Sequence, residues 1–275
     1  MKSLFRLLSN MGDKSVCRKL FIMRHAERVD FTFGAWIPSS FDKEGNFIRK
    51  NLNMPLSVPK RKGGPMDFFK DCPLTRVGLL QATLTGEAMK IAGVKFDHVF
   101  CSPSLRCVET CTNALKASEQ THLPINIEPG LFEWLSWYRD EMPKWMSLEE
   151  LKNCGFNIVM DYEPVIKATD ITNVKETSEE YYMRNYLVSS KLVEKYSGNL
   201  LFVAHAASLD TCSRQLTGKP PRNEQDLLTI VPKVTYASVA VVEQLSNGSW
   251  QLTEPPFPPL MHTNNASFEW KILLD

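Results

Sequence analysis

Three arginines, two histidines and a glutamate stand just beyond the ends of apolar runs in this chain. Arg24, His25 and Arg28 follow LFIM, Arg106 follows VFCSPS, Glu133 follows INIEPGLF, and His205 follows LLFVA. Taken singly, each has an ordinary reading. A strand-end Arg is usually a salt-bridge partner, a lone His a hydrogen-bonded structural residue, and a Glu in LFEWLSW a cap or a solvated charge. Their shared place gives them weight. In doubly wound α/β sheets ligands bind outside the carboxyl ends of the strands. If these runs are parallel neighbours, all six side chains converge.

The set has one chemical logic. A guanidinium is a rigid fork of donors that matches phosphate oxygens. Three forks can cover the equatorial oxygens of a phosphoryl group in transfer, a reaction that needs positioning and charge stabilisation more than covalent help. A neutral His is a covalent nucleophile, and nearby arginines would hold its pKa down and keep its lone pair free. A carboxylic acid can protonate the leaving oxygen if its surroundings keep it protonated long enough.

The elements that must position these residues alternate along the chain, which predicts an α/β fold: three layers, with a mostly parallel central sheet flanked by helices. Lys19–Met23 reads as the first strand. Residues 31–73 are irregular, rich in Gly, Pro and aromatics, and too long for a simple loop, so they read as a functional insertion. Within them Lys60, Arg61 and Lys62 form either a solvated charge run or a basic rim for an anion. Thr75 is an N-cap for a helix whose apolar spacing continues through Ala88. FDHVFCS reads as a strand and PSLRCVETCTNAL as a helix started by Pro103. PINIEPGLFEWLSW begins as a strand and opens into a turn. A short helix is expected near Ser147–Asn153, a long one over SEEYYMRNYLVSSKLVEKY, and a strand running into a helix over NLLFVAHAASLD. TYASVAVVEQL and WQLTE read as a closing strand pair. The tail EPPFPPLMHTNN contains P-x-x-P, which reads as a loop, with partner binding as the less ordinary option.

Composition narrows the field. The chain has 275 residues, a hydrophobic fraction of 43%, a charged fraction of 23% and a formal net charge of +1. That is enough chain for a sizeable core, and the charge favours neither nucleic acid nor an acidic partner. No apolar run approaches the ~20 residues of a membrane span. The start, MKSLFRLLSNMGDKS, lacks the apolar stretch and cleavage site of a secretory signal, although a basic, Leu-rich start is compatible with an organelle address. Residues 1–18 therefore read as a leader and 19–275 as one domain. Seven cysteines form no C-x-x-C pair. Cys107 and Cys111 would share a helix face, and no histidine has the spacing to join them as a metal site. Buried reduced thiols in the cytoplasm are the expectation. Asn247-Gly-Ser and Asn265-Ala-Ser match the glycosylation pattern but read as surface turns.

The motifs also carry a resemblance. MRHAER resembles the R-H-G signature of the histidine phosphatase superfamily, which has the phosphoglycerate mutase-like fold. FTFGAWIPSSFDKEGNF, NLNMPLSVPKR, PLTRVGLLQA, CSPSLRCVETC, EPGLFEW and AHAASLDTCSRQLTG are similar to the phosphatase domain of the Sts (suppressor of T-cell receptor signalling) and insect ecdysteroid-phosphate phosphatase branch, over roughly residues 19–245. The resemblance implies a phosphomonoester phosphatase that needs neither a metal nor an organic cofactor. His25 would be the nucleophile that becomes phosphohistidine. Arg24, Arg28 and Arg106 would cradle the phosphoryl group. His205 would complete the pocket as a cation on a phosphoryl oxygen, and Glu133 would protonate the leaving alcohol and later activate water. A homodimer is implied, as are substrates that are phosphorylated proteins, phosphotyrosine proteins among them, or small aryl or steroid phosphates. Phe31, Phe33, Trp36 and Trp134 would suit such leaving groups as stacking surfaces, or else pack in the core. Longer members carry ubiquitin-binding and SH3 modules ahead of this domain; the present 275 residues have no room for them, so recruitment through them is not expected.

Two positions depart from the pattern. The signature glycine is Ala26, and the glycine before the second histidine is Ala204. If the backbone there has negative φ the added methyl costs little; if φ is positive the loop must shift. A phosphate-binding regulatory protein with weak or no turnover is therefore the alternative function, and a sugar-phosphate mutase a more distant one.

Overall fold

The computed structural model describes residues 18–261 and 270–274. Residues 1–17 of the expected leader 1–18, and the Asn265 sequon, lie outside the described residues. Six strands form one mixed sheet in the order β3-β2-β4-β1-β5-β6. They are β1 (Lys19–Arg24), β2 (His98–Cys101), β3 (Ile125–Ile127), β4 (Leu200–Ala204), β5 (Val239–Gln244) and β6 (Trp250–Thr253). The first four in the sheet order are parallel to one another, β5 runs antiparallel to β1, and β6 antiparallel to β5. The expected closing pair is thus a hairpin, and Asn247-Gly-Ser is its exposed turn.

The seven α-helices among the described residues are α1 (Val29–Phe33), α2 (Arg76–Ile91), α3 (Leu105–Ala117), α4 (Leu148–Asn153), α5 (Ser178–Lys195), α6 (Ser208–Thr211) and α7 (Glu224–Ile230). None of them is long and apolar enough to cross a membrane. The three layers follow from the strand period of two. On β1, Phe21 and Met23 enter one core with Ala82 and Met89 of α2 and Cys107, Cys111 and Leu115 of α3. Leu20 and Ile22, pointing the other way, enter a second core with Val188 and Leu192 of α5. A strand apolar on both faces needs a cover on each, so LFIM has no polar alternation.

Helix starts show how far local signals reach. Thr75 caps α2 as expected, its Oγ1 accepting the Gly78 N–H at 2.9 Å. Ser147 and Thr177 each begin a capping box, with Glu150 and Glu180. α3 differs from expectation: it starts at Leu105, two residues after Pro103, and Ser104 at its N-cap makes no side-chain bond. The cap comes from another segment, since Asp71 Oδ1 accepts the Leu105 N–H at 2.8 Å.

Residues 31–73 are organised around Trp36, Phe41, Phe47 and Phe68, whose rings contact one another. Arg61 is the correction to the charge-run reading: it turns inward, pairs with Asp71 at 3.1 Å with both side chains buried, and donates to the Lys144 carbonyl. Lys60 and Lys62 remain exposed. Cys107 and Cys111 share a buried face, as their spacing predicts. Phe257 and Leu260 of the Pro-rich tail pack against the core.

Candidate active site

Sheet register assembles the site. Arg24 pairs with Ala204 across β1 and β4, so His25 and His205 leave the sheet side by side, with ring centroids 5.5 Å apart. Cys101 pairs with Val203 and with Ile127, which brings Ser102 and the Glu128–Glu133 segment to the same edge. The turn after β1 is stitched to the start of α2: Thr75 N–H donates to the Glu27 carbonyl at 3.0 Å and Val29 N–H to the Pro73 carbonyl at 3.1 Å. Glu27, part of the charge cluster in the sequence, serves that stitch, accepting from Thr75 Oγ1 at 2.6 Å and Asn53 Nδ2 at 3.0 Å.

Each arginine is held differently. Arg24 donates to the Val234 carbonyl, and its guanidinium carbon lies 4.2 Å from the centre of the Tyr236 ring. Arg28 makes a two-pronged pair with Asp30, both contacts at 2.6 Å. Arg106, fully buried in the first turn of α3, donates Nη2 to Glu133 Oε2 at 3.0 Å, to Tyr138 Oη at 3.1 Å and to His205 Nδ1 at 3.3 Å. The Nε atoms of Arg24 and Arg106 are buried without a hydrogen-bond partner. Buried unpaired donors are costly, and two of them on guanidiniums suit an anionic acceptor.

His25 is buried, and its Nδ1 lies 2.8 Å from the Ala26 carbonyl oxygen. A carbonyl only accepts, so Nδ1 carries the proton and Nε2 keeps its lone pair. Burial first, then the charges of Arg106 and Arg24, hold its pKa well below the ordinary imidazole value. His205 is also pushed well below that value by burial, against the pull of Glu133. Burial thus favours the neutral imidazole of His205. A guanidinium N–H can only donate, so the Arg106 contact makes Nδ1 of His205 an acceptor. Its proton is then on Nε2, 2.8 Å from Ser102 Oγ.

Glu133 is nearly buried. Burial alone raises its pKa, but His205, Arg106, Arg28 and the Tyr138 hydroxyl override this and bring it to about 2. Arg106 and Arg28 account for that direction even with His205 neutral. The free protein therefore holds a carboxylate here. Tyr138 Oη donates to it at 2.6 Å, and Arg28 Nη1 is 4.0 Å away.

The structure brings all six sequence-predicted residues together. His25, Glu133 and His205 offer ligand atoms within 4.8 Å of one another, a geometry a metal could use. Three guanidiniums around the same atoms oppose a cation and favour an anion. Sequence reasoning missed Ser102, Tyr138, Tyr236 and Asp30. Ser102 directly follows β2, where strand-end reading could have found it; Tyr138 and Tyr236 carry no local signal. Of the proposed stacking aromatics, Trp36 and Trp134 are core residues, Phe33 packs on the core, and Phe31 is 71% exposed, with Arg28 stacked at 4.2 Å. Neither Ala26 nor Ala204 is among the positive-φ residues, so their methyls impose no backbone strain.

The chain is similar to known proteins over most of its length. The chain is 50% identical over 258 residues to the ecdysteroid-phosphate phosphatase of Drosophila melanogaster, an alignment covering 93% of this chain and 34% of that protein. It is 41% identical over 273 residues to human ubiquitin-associated and SH3 domain-containing protein B, covering 97% of this chain and 42% of that protein. The chain thus spans about a third to two fifths of the length of these curated relatives. The crystal structure of the ecdysone phosphate phosphatase of Bombyx mori, in complex with tungstate, superposes with a TM-score of 0.80 at 35% identity, covering 93% of this chain and 99% of that one. Residues 59–254, which include Arg106, Glu133 and His205, match the family described as the histidine phosphatase superfamily (branch 1). With β1 and its Arg24-His25 completing the sheet edge, the chain belongs to the histidine phosphatase superfamily.

Proposed function

We propose that this protein is a metal-independent phosphomonoester phosphatase working through a phosphohistidine at His25. One observation carries the reading: three guanidiniums surround a buried, uncharged imidazole whose Nε2 is left free by the Nδ1 contact to Ala26. In the first step the Nε2 lone pair attacks phosphorus. The P–O bond to the leaving group breaks, its electron pair stays on that oxygen, and the oxygen takes a proton through Glu133. The arriving phosphate draws the field of Arg106 and Arg28 to its own oxygens, which lifts the Glu133 pKa from about 2 and lets it carry that proton. In the second step Glu133 takes a proton from water, whose oxygen attacks phosphorus. The N–P bond breaks, and phosphate and neutral His25 are released.

The substrate class we favour is an aryl or steroid phosphate, or a phosphotyrosine protein. Exposed Phe31 beside Arg28 supports a flat apolar leaving group, and relatives are named as ecdysteroid-phosphate phosphatases. The reading as a binding protein without turnover depends on Ala26 and Ala204, and neither has the positive φ that would disturb the loop. A homodimer belongs to the same proposal: Leu80, Leu84 and Ile91 form an exposed stripe on α2 that a second copy could cover, and light scattering of the purified chain tests it. So does a cytoplasmic setting, with which the buried free thiols of Cys72, Cys101, Cys107, Cys111 and Cys212 are compatible. The domain division of a leader before residue 19 and an insertion at 31–73 remains part of this reading.

The test is hydrolysis of 4-nitrophenyl phosphate by wild type and His25→Ala, with EDTA present. Turnover that survives EDTA and disappears in the variant supports the mechanism. No turnover by folded wild type from mildly acidic to neutral pH returns the chain to phosphate binding.

A further inference from the structure

Glu133 is carried by irregular backbone between two 3-10 turns, Pro129–Leu131 and Leu135–Tyr138. Neither a helix nor a strand ladder holds it there. A proton donor in such a place needs rigidity from elsewhere, because a misplacement of about 1 Å can cost roughly a hundredfold in rate.

One side chain outside the phosphate pocket supplies it. Arg184 of α5 donates Nη1 to the carbonyls of Gly130 at 2.7 Å and Phe132 at 2.9 Å, and Nη2 to the carbonyl of Glu133 itself at 3.1 Å. Its Nε and Nη2 reach the two carboxylate oxygens of Glu176 at 2.6 and 3.0 Å. All the N–H donors of the guanidinium are thereby used. Glu176 holds the other side of the same loop. Its Oε2 accepts the Leu135 N–H at 3.1 Å, and its backbone carbonyl accepts the Trp134 indole N–H at 2.8 Å. Both side chains are nearly buried, at 9% and 6% exposure. An ion pair withdrawn from water is weak as a source of stability, but this one fastens the backbone on both sides of Glu133. None of its hydrogen bonds goes to Arg24, His25, Arg28, Arg106 or His205.

We propose that the Arg184–Glu176 pair is a positioning device for the Glu133 carboxyl, setting its reach to the leaving-group oxygen without touching substrate. The inference rests on the reading of Glu133 as the proton donor of a phosphatase. It has a signature that a purely structural role lacks. 4-Nitrophenolate departs with little proton donation, phenolate needs more, and an alkoxide needs it fully. A misplaced donor therefore penalises the poor leaving groups selectively, whereas loss of fold or of phosphate binding penalises all esters alike.

The experiment measures kcat/KM, which reports the steps through leaving-group departure, for 4-nitrophenyl phosphate, phenyl phosphate and an alkyl phosphate. The proteins are wild type, Glu133→Gln, Arg184→Lys and Glu176→Asp, each checked by thermal melting. Lysine keeps the charge at 184 but lacks the fork. Arg184→Lys is expected to lose about 10- to 100-fold on the alkyl ester and at most about threefold on 4-nitrophenyl phosphate. Glu176→Asp, which keeps the charge and shortens the reach, should show the same selectivity and stands in if Arg184→Lys does not fold. Equal losses on all three esters in these variants, alongside a selective loss in Glu133→Gln, overturn the positioning role alone. A uniform loss in Glu133→Gln overturns the donor assignment and the positioning role with it. Absence of turnover by folded wild type on every ester overturns the phosphatase reading itself.

Discussion

His25 Nδ1 and the carbonyl oxygen of Ala26, the next residue in the chain, lie 2.8 Å apart. The turn that presents the imidazole therefore also selects its tautomer, and the atom turned loose is Nε2. The Ala26 N–H in turn donates to Thr110 Oγ1 at 2.9 Å, tying the same turn to α3.

Ala26→Gly tests whether the methyl matters. The backbone at Ala26 lies outside the left-handed region, so glycine relieves no strain; it removes a fully buried core methyl and adds freedom to the unfolded chain. Stability is expected to fall by about 1–2 kcal/mol, with kcat/KM within about threefold of wild type. Thermal melts and steady-state assays measure both. A gain of tens-fold in rate would show instead that the methyl obstructs phosphate.

On the proposed mechanism, His25 and Glu133 each keep one protonation state through the working range and leave the pH dependence to the substrate. His25 is held well below its ordinary value by burial and by Arg106 and Arg24, so its imidazole stays a free base into mildly acidic solution. Glu133, at about 2 in the free protein, is a carboxylate throughout the working range. The leaving-group proton must then arrive with the substrate monoanion, whose phosphate pKa is about 6. kcat/KM should be highest below about pH 6 and fall roughly tenfold per unit well above it. A maximum above pH 8 contradicts this assignment.

Gly78→Ala sets helix propensity against packing. Alanine is favoured over glycine in a helix by about 1 kcal/mol. At this position, however, a Cβ would stand 2.2 Å from the Glu27 carbonyl oxygen, in the turn between His25 and Arg28. The clash should win, with a net loss of about 1–3 kcal/mol and a fall in activity from the displaced turn. Chemical denaturation and kcat/KM on one preparation read both effects.

Tyr236 is expected to support the phosphate clamp through its ring. Arg24 stacks on it at 4.2 Å, and a cation–π contact at a partly exposed site contributes about 0.5–1 kcal/mol. Tyr236→Ala should raise the dissociation constant of inorganic phosphate about two- to fivefold, while Tyr236→Phe should leave it near wild type. Equal weakening in both variants would assign the effect to the hydroxyl.

Much of this architecture was legible because the signals are local. The apolar runs LFIM and LLFVA, Thr75 before α2, Ser147 before α4 and the Asn247-Gly-Ser turn each depend on near neighbours in the chain. The start of α3 was misread for the opposite reason: Asp71, far from Leu105 in sequence, provides the cap that Pro103 does not. Arg61 looked like part of a solvated run because its partner Asp71 and the Lys144 carbonyl are invisible in KRK. The roles of Arg184 and Tyr138 depend on backbone and side-chain geometry that no spacing encodes.

By itself the sequence determined which side chains stand past the strand ends, since hydrophobic patterning places each strand and chain connectivity then places the next few residues at its end. Tertiary structure decided the register of Arg24 with Ala204 that sets His25 beside His205. It also decided the charge each group carries: a neutral His25 and His205, and an ionised Glu133. Protonation depends on desolvation and on charges a few ångströms away, and here those charges come from β1, from α3 and from the loop that Arg184 and Glu176 hold in place.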